Sequence, residues 1–312
     1  MKEVTFKKWE MLSKSERKNI TKIIFPGKFK KHKRPTMAFA TMCKNEEHCI
    51  GKTLNAVKGF VDYLVVADNG SEDRTFNIVK DFFLETGLPG SWHIDKWYGF
   101  DKNKTLMMSY VKGKTDYVMH LDADDFLVGD LKLNLLNTAA DQYCILNKRG
   151  ENNYWCSVIY NNKLTWKFYG VAHTIIKCLE NKKLQIKKIP ESDLYVDNTG
   201  IGNRVSDPNK FLKDAKNLEL QYWDTLISDP ENLNSRSIFY CAQSYQDQGG
   251  QYLINALKWY NKYLTIKDAW VEETYIAQLA IADIKQLVTS SNDFTINFSF
   301  RFFIRIVRIV LT

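Results

Sequence analysis

The run Asp116-Tyr117-Val118-Met119-His120-Leu121-Asp122-Ala123-Asp124-Asp125 sets three carboxylates within four positions, directly after a stretch that reads as a buried strand. A strand ending in Asp-x-Asp places acidic side chains at its carboxyl edge, where open α/β sheets bind ligands. Carboxylates this close repel one another, so the cluster makes chemical sense chiefly when a divalent cation neutralises it. Mg²⁺ and Mn²⁺ take oxygen ligands, often one or two carboxylates plus the phosphates of a substrate. A metal-bridged nucleotide diphosphate is therefore the chemistry this strand end suits. Taken alone, an isolated Asp-x-Asp reads first as a solvated acidic turn.

The elements around it decide between the two. Met37 to Met42 is an apolar run of parallel-strand type, and a helix is expected to open at Asn45-Glu46-Glu47, with Ile50, Leu54 and Val57 at helical spacing and Gly59 to stop it. Tyr63 to Ala67 predicts a second strand ending in Asp68-Asn69-Gly70-Ser71, with Ser71 or Asp73 to cap the next helix. A strand near Trp92 to Tyr98 and a helix over Asn103 to Val111 lead into the acidic strand. Alternating strands and helices predict a parallel sheet with crossovers. The glycine-rich dinucleotide fingerprint and the phosphate-loop lysine motif are both missing from the sequence. Short strand-like runs between Tyr143 and Lys188 extend the sheet and carry Trp155 and Trp166, which suit an acceptor pocket or a core.

Further on, Asp207-Pro208 starts a helix with the stripe Phe211, Ala215, Leu218, Tyr222 and Leu226. Three more helices follow, near Asn234 to Gln246, Leu253 to Leu264 and from Val271. Ala242, Tyr245, Ala256 and Tyr260 approach the small/large pattern of a tetratricopeptide unit, with a linker slightly too long and no terminal proline.

The 312 residues, 45% hydrophobic and 26% charged, read as globular. The net charge of +8 invites a nucleic-acid partner, but the lysines are scattered apart from Lys28 to Arg34 and no nucleic-acid motif accompanies them, so no nucleic acid is expected. Six cysteines without a CxxC pair suit reduced thiols and a cytoplasmic setting. The N-terminal residues lack a signal-peptide core and read as a basic helical arm. The tail FSFRFFIRIVRIVLT puts Arg301, Arg305 and Arg308 on one helical face; it is too short and too charged to span a bilayer but suits peripheral membrane contact.

Six pieces, FATMCKNEE, YLVVADNGSEDRT, FDKNKTLMM, YVMHLDADDFL, WKFYGVAH and SDPNKFLKDAKNLE with IFYCAQSYQDQGG after it, stand in one order between Met37 and Ile284. Together they resemble family 2 glycosyltransferases of the GT-A type with a helical-repeat C-terminal part. The resemblance implies an α/β fold, a GT-A nucleotide-sugar-binding sandwich with a mostly parallel sheet, followed by a small α-helical repeat-like domain. The implied layout is a basic arm over 1–36, a GT-A domain over 37–200, a tetratricopeptide-like region over 205–290 and a cationic amphipathic tail over 291–312.

The same resemblance implies roles. Thr41, Asn45 and Glu46 shape the nucleotide pocket, and Asp68 pairs with the base; a carboxylate accepting the N3–H of uracil favours UDP-sugars. Lys102 and Asn103 stand where the family has Arg-Asn and meet the diphosphate or sugar, a lysine giving charge without the arginine fork. Asp122 is the sugar-side or ribose-side carboxylate, while Asp124 and His173 are the ligands of Mn²⁺ or Mg²⁺. Asp125, where the family more often has glutamate, is placed with the catalytic residues. The family usually follows its histidine with a glutamate, and Thr174 stands there instead, so Glu151 in the polar loop Arg149 to Asn153 is the candidate catalytic base. The implied reaction is an inverting transfer from a nucleotide-sugar to a glycan, lipid or protein acceptor. The alternative is a catalytically degenerate, nucleotide-binding scaffold that works through its helical repeat.

Overall fold

The computed structural model describes residues 2–29, 33–133, 136, 140–150, 152–198, 202–228, 235–267 and 269–290. They divide into two compact units, Met1–Tyr169 with Ile176–Val205, and Gly170–Ile175 with Ser206–Thr312. The candidate base Glu151 and the amphipathic tail over 291–312 lie outside the described residues.

In chain order the first unit runs β1 (Lys2–Thr5), α1 (Phe6–Glu10), α2 (Lys14–Arg17), β2 (Ile20–Phe25), β3 (Met37–Cys43), α3 (Ile50–Val57), β4 (Tyr63–Asp68), α4 (Thr75–Thr86), β5 (Gly90–Ile94), α5 (Phe100–Val111), β6 (Tyr117–His120), β7 (Phe126–Gly129), β8 (Gln142–Arg149), β9 (Asn152–Asn161), β10 (Trp166–Tyr169), β11 (Ile175–Cys178), β12 (Ile186–Lys188) and β13 (Leu194–Asp197). Among the described residues the large sheet has the order β1-β2-β5-β4-β3-β6-β9-β8-β13-β7, with β12 beside β8. Strands β5, β4, β3 and β6 are mutually parallel, and β9 closes antiparallel on β6. This is the mostly parallel α/β sheet that the alternating pattern predicts. From β3 the chain steps outward through β4 and β5, then crosses back to place β6 on the other side of β3. That reversal is a topological switch point, and it opens a crevice at the carboxyl ends of β3 and β6.

The apolar faces explain the layers. Phe39, Leu64, Val66 and Met119 share one core with Leu54 of α3 and Val79 of α4. Ala38, Ala40, Val65 and Val118 share the opposite core with Met107, Met108 and Val111 of α5. The amino ends of the central strands are pinned by polar contacts. Arg34 holds Asp62 through two hydrogen bonds of 2.8 and 3.1 Å, and the same carboxylate accepts from Met37 N at 2.9 Å. Asp116 accepts from Thr36 N and Oγ1 at 2.9 and 2.8 Å, which ties β6 to the start of β3.

The N-terminal residues differ from the helical arm expected. β2 pairs antiparallel with β5, and β1 pairs parallel with β2. The physical reason is aromatic: Phe25 stacks on Phe83 at 4.0 Å and Phe6 on Phe25 at 4.9 Å, burying a surface that the scattered lysines conceal in a composition reading. The helix expected from Asn45 starts only at Ile50, and the strand expected to reach Tyr98 stops at Ile94. Trp166 is core, donating from Nε1 to Asn161 O at 2.9 Å, whereas Trp155 is 39% exposed.

The second unit holds α6 (Lys210–Ser228), α7 (Ser235–Gln248), α8 (Leu253–Tyr263) and α9 (Val271–Ser290). Ala215, Ala242, Ala256 and Ala277 are fully buried, which lets the helices approach, and Tyr245, Tyr260 and Tyr263 fill the space between. Each tyrosine hydroxyl donates to a side-chain oxygen, on Glu219 at 2.6 Å, Gln246 at 2.6 Å and Glu273 at 2.9 Å. These bonds satisfy groups that would otherwise be costly to bury. Among the described residues no helix is long and apolar enough to cross a membrane.

His93 on β5 gives the first unit a pH signature. The ring is buried, stacks on Tyr110 at 3.6 Å and lies 2.9 Å from Ser91 Oγ through Nε2. Burial, with Lys22 adding to it, lowers its pKa to about 3. An unfolded histidine titrates near pH 6.5, so the unfolded chain takes up a proton that the folded chain refuses. Stability from this group is complete above pH 6.5 and is lost at up to about 1.4 kcal/mol per unit as pH falls toward 3. Denaturant unfolding between pH 7 and 4.5 should show a shallower acid slope in His93→Phe than in the native chain; equal slopes would assign the loss to carboxylates alone.

Candidate functional site

The carboxyl edge of β6 begins at His120, which lies 7% exposed with Nδ1 3.0 Å from Ala40 O on β3. Beyond it the chain turns sharply, Asp125 N donating to Asp122 O at 3.1 Å and Asp122 N to Asp125 Oδ2 at 3.3 Å. Thr53 of α3 fixes the turn from below by donating to Ala123 O at 2.6 Å. The three carboxylates thus sit on a short, braced loop next to the switch point.

Each of them has a different environment. Asp122 is half-exposed and pairs with Lys104 Nζ at 2.7 Å, with His120 Nε2 at 3.8 Å. Partial burial works to raise its pKa, but Lys104 and then His120 outweigh it and hold the carboxyl below the ordinary value. Asp124 is half-buried, accepts from Gly202 N at 3.2 Å, and is raised by burial and by the charge of Asp122. Asp125 accepts from Asn198 Nδ2 at 2.8 Å through its other oxygen. Burial, then the charges of Asp122 and Asp124, push it up to about 7. A Cβ at Gly202 would meet Asp124 Oδ2 at 2.2 Å, so any side chain there would displace this carboxylate.

Lys104 is the candidate site residue that the sequence reading misses. Lys102 is exposed, and Asn103 is fully buried, holding the loop before α5 through bonds to Lys96 O at 2.9 Å and from Tyr98 N at 2.7 Å. Two residues on from Lys102, a little over half a helical turn, Lys104 points to the aspartates and is only 8% exposed. Helical periodicity held the signal, since Lys104 shares a face with the buried Met107, Met108 and Val111.

The loops after β3 and β4 are zipped together. Asn45 adopts φ 56°, accepts from Glu72 N at 2.8 Å through its side chain and donates its own N–H to Ser71 Oγ at 2.8 Å. Glu46 N donates to Thr75 Oγ1 at 2.9 Å and Glu47 N to Asp73 Oδ2 at 3.1 Å. This network delays the helix to Ile50, because the backbone N–H groups of residues 45–47 bond side chains of the neighbouring loop. Asp68 is 5% exposed, with Oδ1 taking Ser71 N at 2.9 Å and Ser71 Oγ at 2.6 Å. Burial raises its pKa and the Ser71 bonds oppose that.

Three buried polar atoms at these strand ends have no hydrogen-bond partner among the described residues: Thr41 Oγ1, Asn69 Nδ2 and Asp95 Oδ2. Asp68 pairs with Ile94 in register, so Asn69 and Asp95 continue side by side on the α5 face, where Tyr110 Oη donates to Asp95 Oδ1 at 2.7 Å. Unsatisfied buried groups are uncommon and cluster where a ligand or ordered water bonds. Asn69 and Asp95 are absent from the sequence-derived set, because only the strand register brings them together. His173 belongs to the second unit, where it takes φ 50° and stacks on Tyr240 at 4.1 Å.

Comparison with known proteins bears on what this edge is for. Residues 39–193 match the family described as "Glycosyl transferase family 2". A protein described as an uncharacterized glycosyltransferase of Rickettsia typhi (strain ATCC VR-144 / Wilmington) is 33% identical over 89 residues, 28% of this chain and 28% of that protein. The match therefore spans little more than a quarter of that relative. Among solved structures, S. aureus TarS is similar over 82% of this chain and 55% of its own, at 15% identity and a TM-score of 0.43. The 1–349 portion of TarS in complex with UDP-GlcNAc matches at 14% identity and a TM-score of 0.42, over 82% of this chain and 90% or more of its own (91%). Glucosyl-3-phosphoglycerate synthase from Mycobacterium tuberculosis matches at 18% identity and a TM-score of 0.28, over 38% of this chain and 45% of its own. With the aspartate turn and the Asp68 loop inside the matched stretch, residues 39–193 form a family 2 glycosyl transferase domain.

Proposed function

We propose that this domain transfers a sugar from a nucleoside diphosphate donor, a UDP-sugar by the chemistry of Asp68, to a glycan, lipid or protein acceptor with inversion at the anomeric carbon. The observation that carries the reading is the braced Asp122-Ala123-Asp124-Asp125 turn beside the switch point, with Lys104 paired to its first carboxylate. Asp124 and its neighbours suit Mn²⁺ or Mg²⁺: they are hard oxygen donors, and burial and mutual repulsion leave Asp124 short of positive charge. When bound, such an ion supplies positive charge to the departing diphosphate. Asp122, kept ionised by Lys104, accepts hydroxyls of the donor, and the Asp68 turn presents a carboxylate to the base. The second unit we read as a degenerate tetratricopeptide-like pair of helical hairpins; the buried alternation of Ala242, Ala256 and Ala277 with tyrosines supports it.

Titration calorimetry with UDP tests the donor site. UDP should bind more tightly with Mn²⁺ than with chelator, and Asp124→Ala should remove the difference; a chelator-insensitive affinity in the intact chain overturns the metal bridge. Lys104→Met should lower turnover of a UDP-sugar. Asp122 is half-exposed, so solvent screening keeps the pair nearer the surface regime than the buried one, and a loss of about tenfold is expected. Partial recovery in Lys104→Arg would show that charge is what matters, and full activity in Lys104→Met would remove the lysine from the site. Inverting transfer also needs a proton acceptor, worth roughly 10² to 10⁴ in rate, and the hydroxyl of Thr174 is too weak a base. Thr174→Glu should raise turnover with UDP affinity unchanged; a slower variant places the base elsewhere.

A further inference from the structure

Between β3 and α3, Glu46, His48 and Cys49 turn three unlike donor atoms toward one point. Cys49 Sγ is 3.2 Å from Glu46 Oε2, His48 Nε2 is 3.7 Å from the same oxygen, and all three atoms lie within 4.8 Å of one another. Bonds of about 2.0 Å to nitrogen, 2.1 Å to oxygen and 2.3 Å to sulfur at tetrahedral angles set neighbouring ligand atoms roughly 3.4 to 3.6 Å apart. Two edges of the triangle are therefore already near that spacing. The third closes by turning His48, whose side chain is 43% exposed, toward Cys49, which is 1% exposed.

The backbone that carries them is fixed. Cys49 N and Ile50 N both donate to Glu46 O, at 3.1 and 2.9 Å, and Glu46 N is held by Thr75 Oγ1. His48 also lines an open surface depression with Asn45, Glu47, Glu72 and Asp73, so its ring is reached from solvent. A mixed nitrogen, sulfur and oxygen set suits Zn²⁺, whereas Mg²⁺ and Mn²⁺ prefer oxygen alone.

We propose that Glu46, His48 and Cys49 form a zinc-binding site of their own, separate in ligand chemistry from the aspartate turn. It does not depend on the glycosyl-transfer reading, which the UDP calorimetry tests independently. Occupation ties the Glu46 carboxylate to the ion and locks the loop between β3 and α3.

Cobalt reports on the site, because a Co²⁺–thiolate bond gives a near-ultraviolet charge-transfer band that oxygen ligands do not. Titrating the full chain with Co²⁺ should produce this band, Zn²⁺ should erase it, and excess Mg²⁺ should leave it. Cys49→Ser should abolish the band. Substitution of groups beyond the ligands costs 10- to 100-fold in metal affinity, so His48→Ala should weaken Zn²⁺ by at least about tenfold. Since His48 is exposed, that variant keeps the test open if Cys49→Ser fails to fold. Asp124→Ala should retain both band and affinity. Absence of the band in the native chain, its survival in Cys49→Ser, or unchanged Zn²⁺ affinity in His48→Ala overturns the proposal.

Discussion

Repulsion among three carboxylates at the end of one buried strand is the constraint to which the first unit answers. Asp122, Asp124 and Asp125 raise one another's cost of ionisation, and the surrounding chain meets that cost differently for each. Lys104 supplies a full charge to Asp122, Asn198 and the Asp122 amide supply hydrogen bonds to Asp125, and the Gly202 amide reaches Asp124. These partners come from α5, from the end of β13 and from the segment after it. An acidic turn that was merely solvated would need none of them.

The same logic governs the neighbouring edge. The loops after β3 and β4 spend their side chains on each other, through Asn45, Asp73, Thr75 and Ser71, so the Asp68 carboxylate is held before any ligand arrives. A preorganised polar edge forgoes reorganisation at the moment of binding. Thr41, Asn69 and Asp95 leave buried polar atoms unanswered there. Such buried atoms cost free energy unless a ligand or an ordered water bonds them.

Rigidity behind this edge comes from packing on both faces of the sheet and from polar pins at the far end of its strands. Asp62 and Asp116 lock the starts of β3 and β6, so the carboxyl ends inherit a fixed register. The N-terminal strands extend the same sheet through stacked aromatics. In the second unit, small residues and hydroxyl-bonded tyrosines play the corresponding part.

What the sequence alone determined is whatever rests on periodicity and local chemistry. The alternation of β3, α3, β4, α4, β5, α5 and β6 is legible because buried parallel strands are continuous apolar runs and helices keep their spacing. The acidic strand end is legible because Asp-x-Asp after such a run is short-range, and the helices after Asp207 announce themselves by stripe and cap. Tertiary structure decided the rest. Lys104 rather than Lys102 meets the aspartates because the rotation of α5 on the sheet selects the face, and a shift of two residues is invisible in a charge pattern. Asn69 and Asp95 become neighbours only through the β4–β5 register, twenty-six residues apart in sequence. Residues 45–47 stay out of the helix because side chains of the loop after β4 accept their backbone N–H groups. β1 and β2 join the sheet because Phe6 and Phe25 find Phe83, and contacts of that sequence separation carry no local signature.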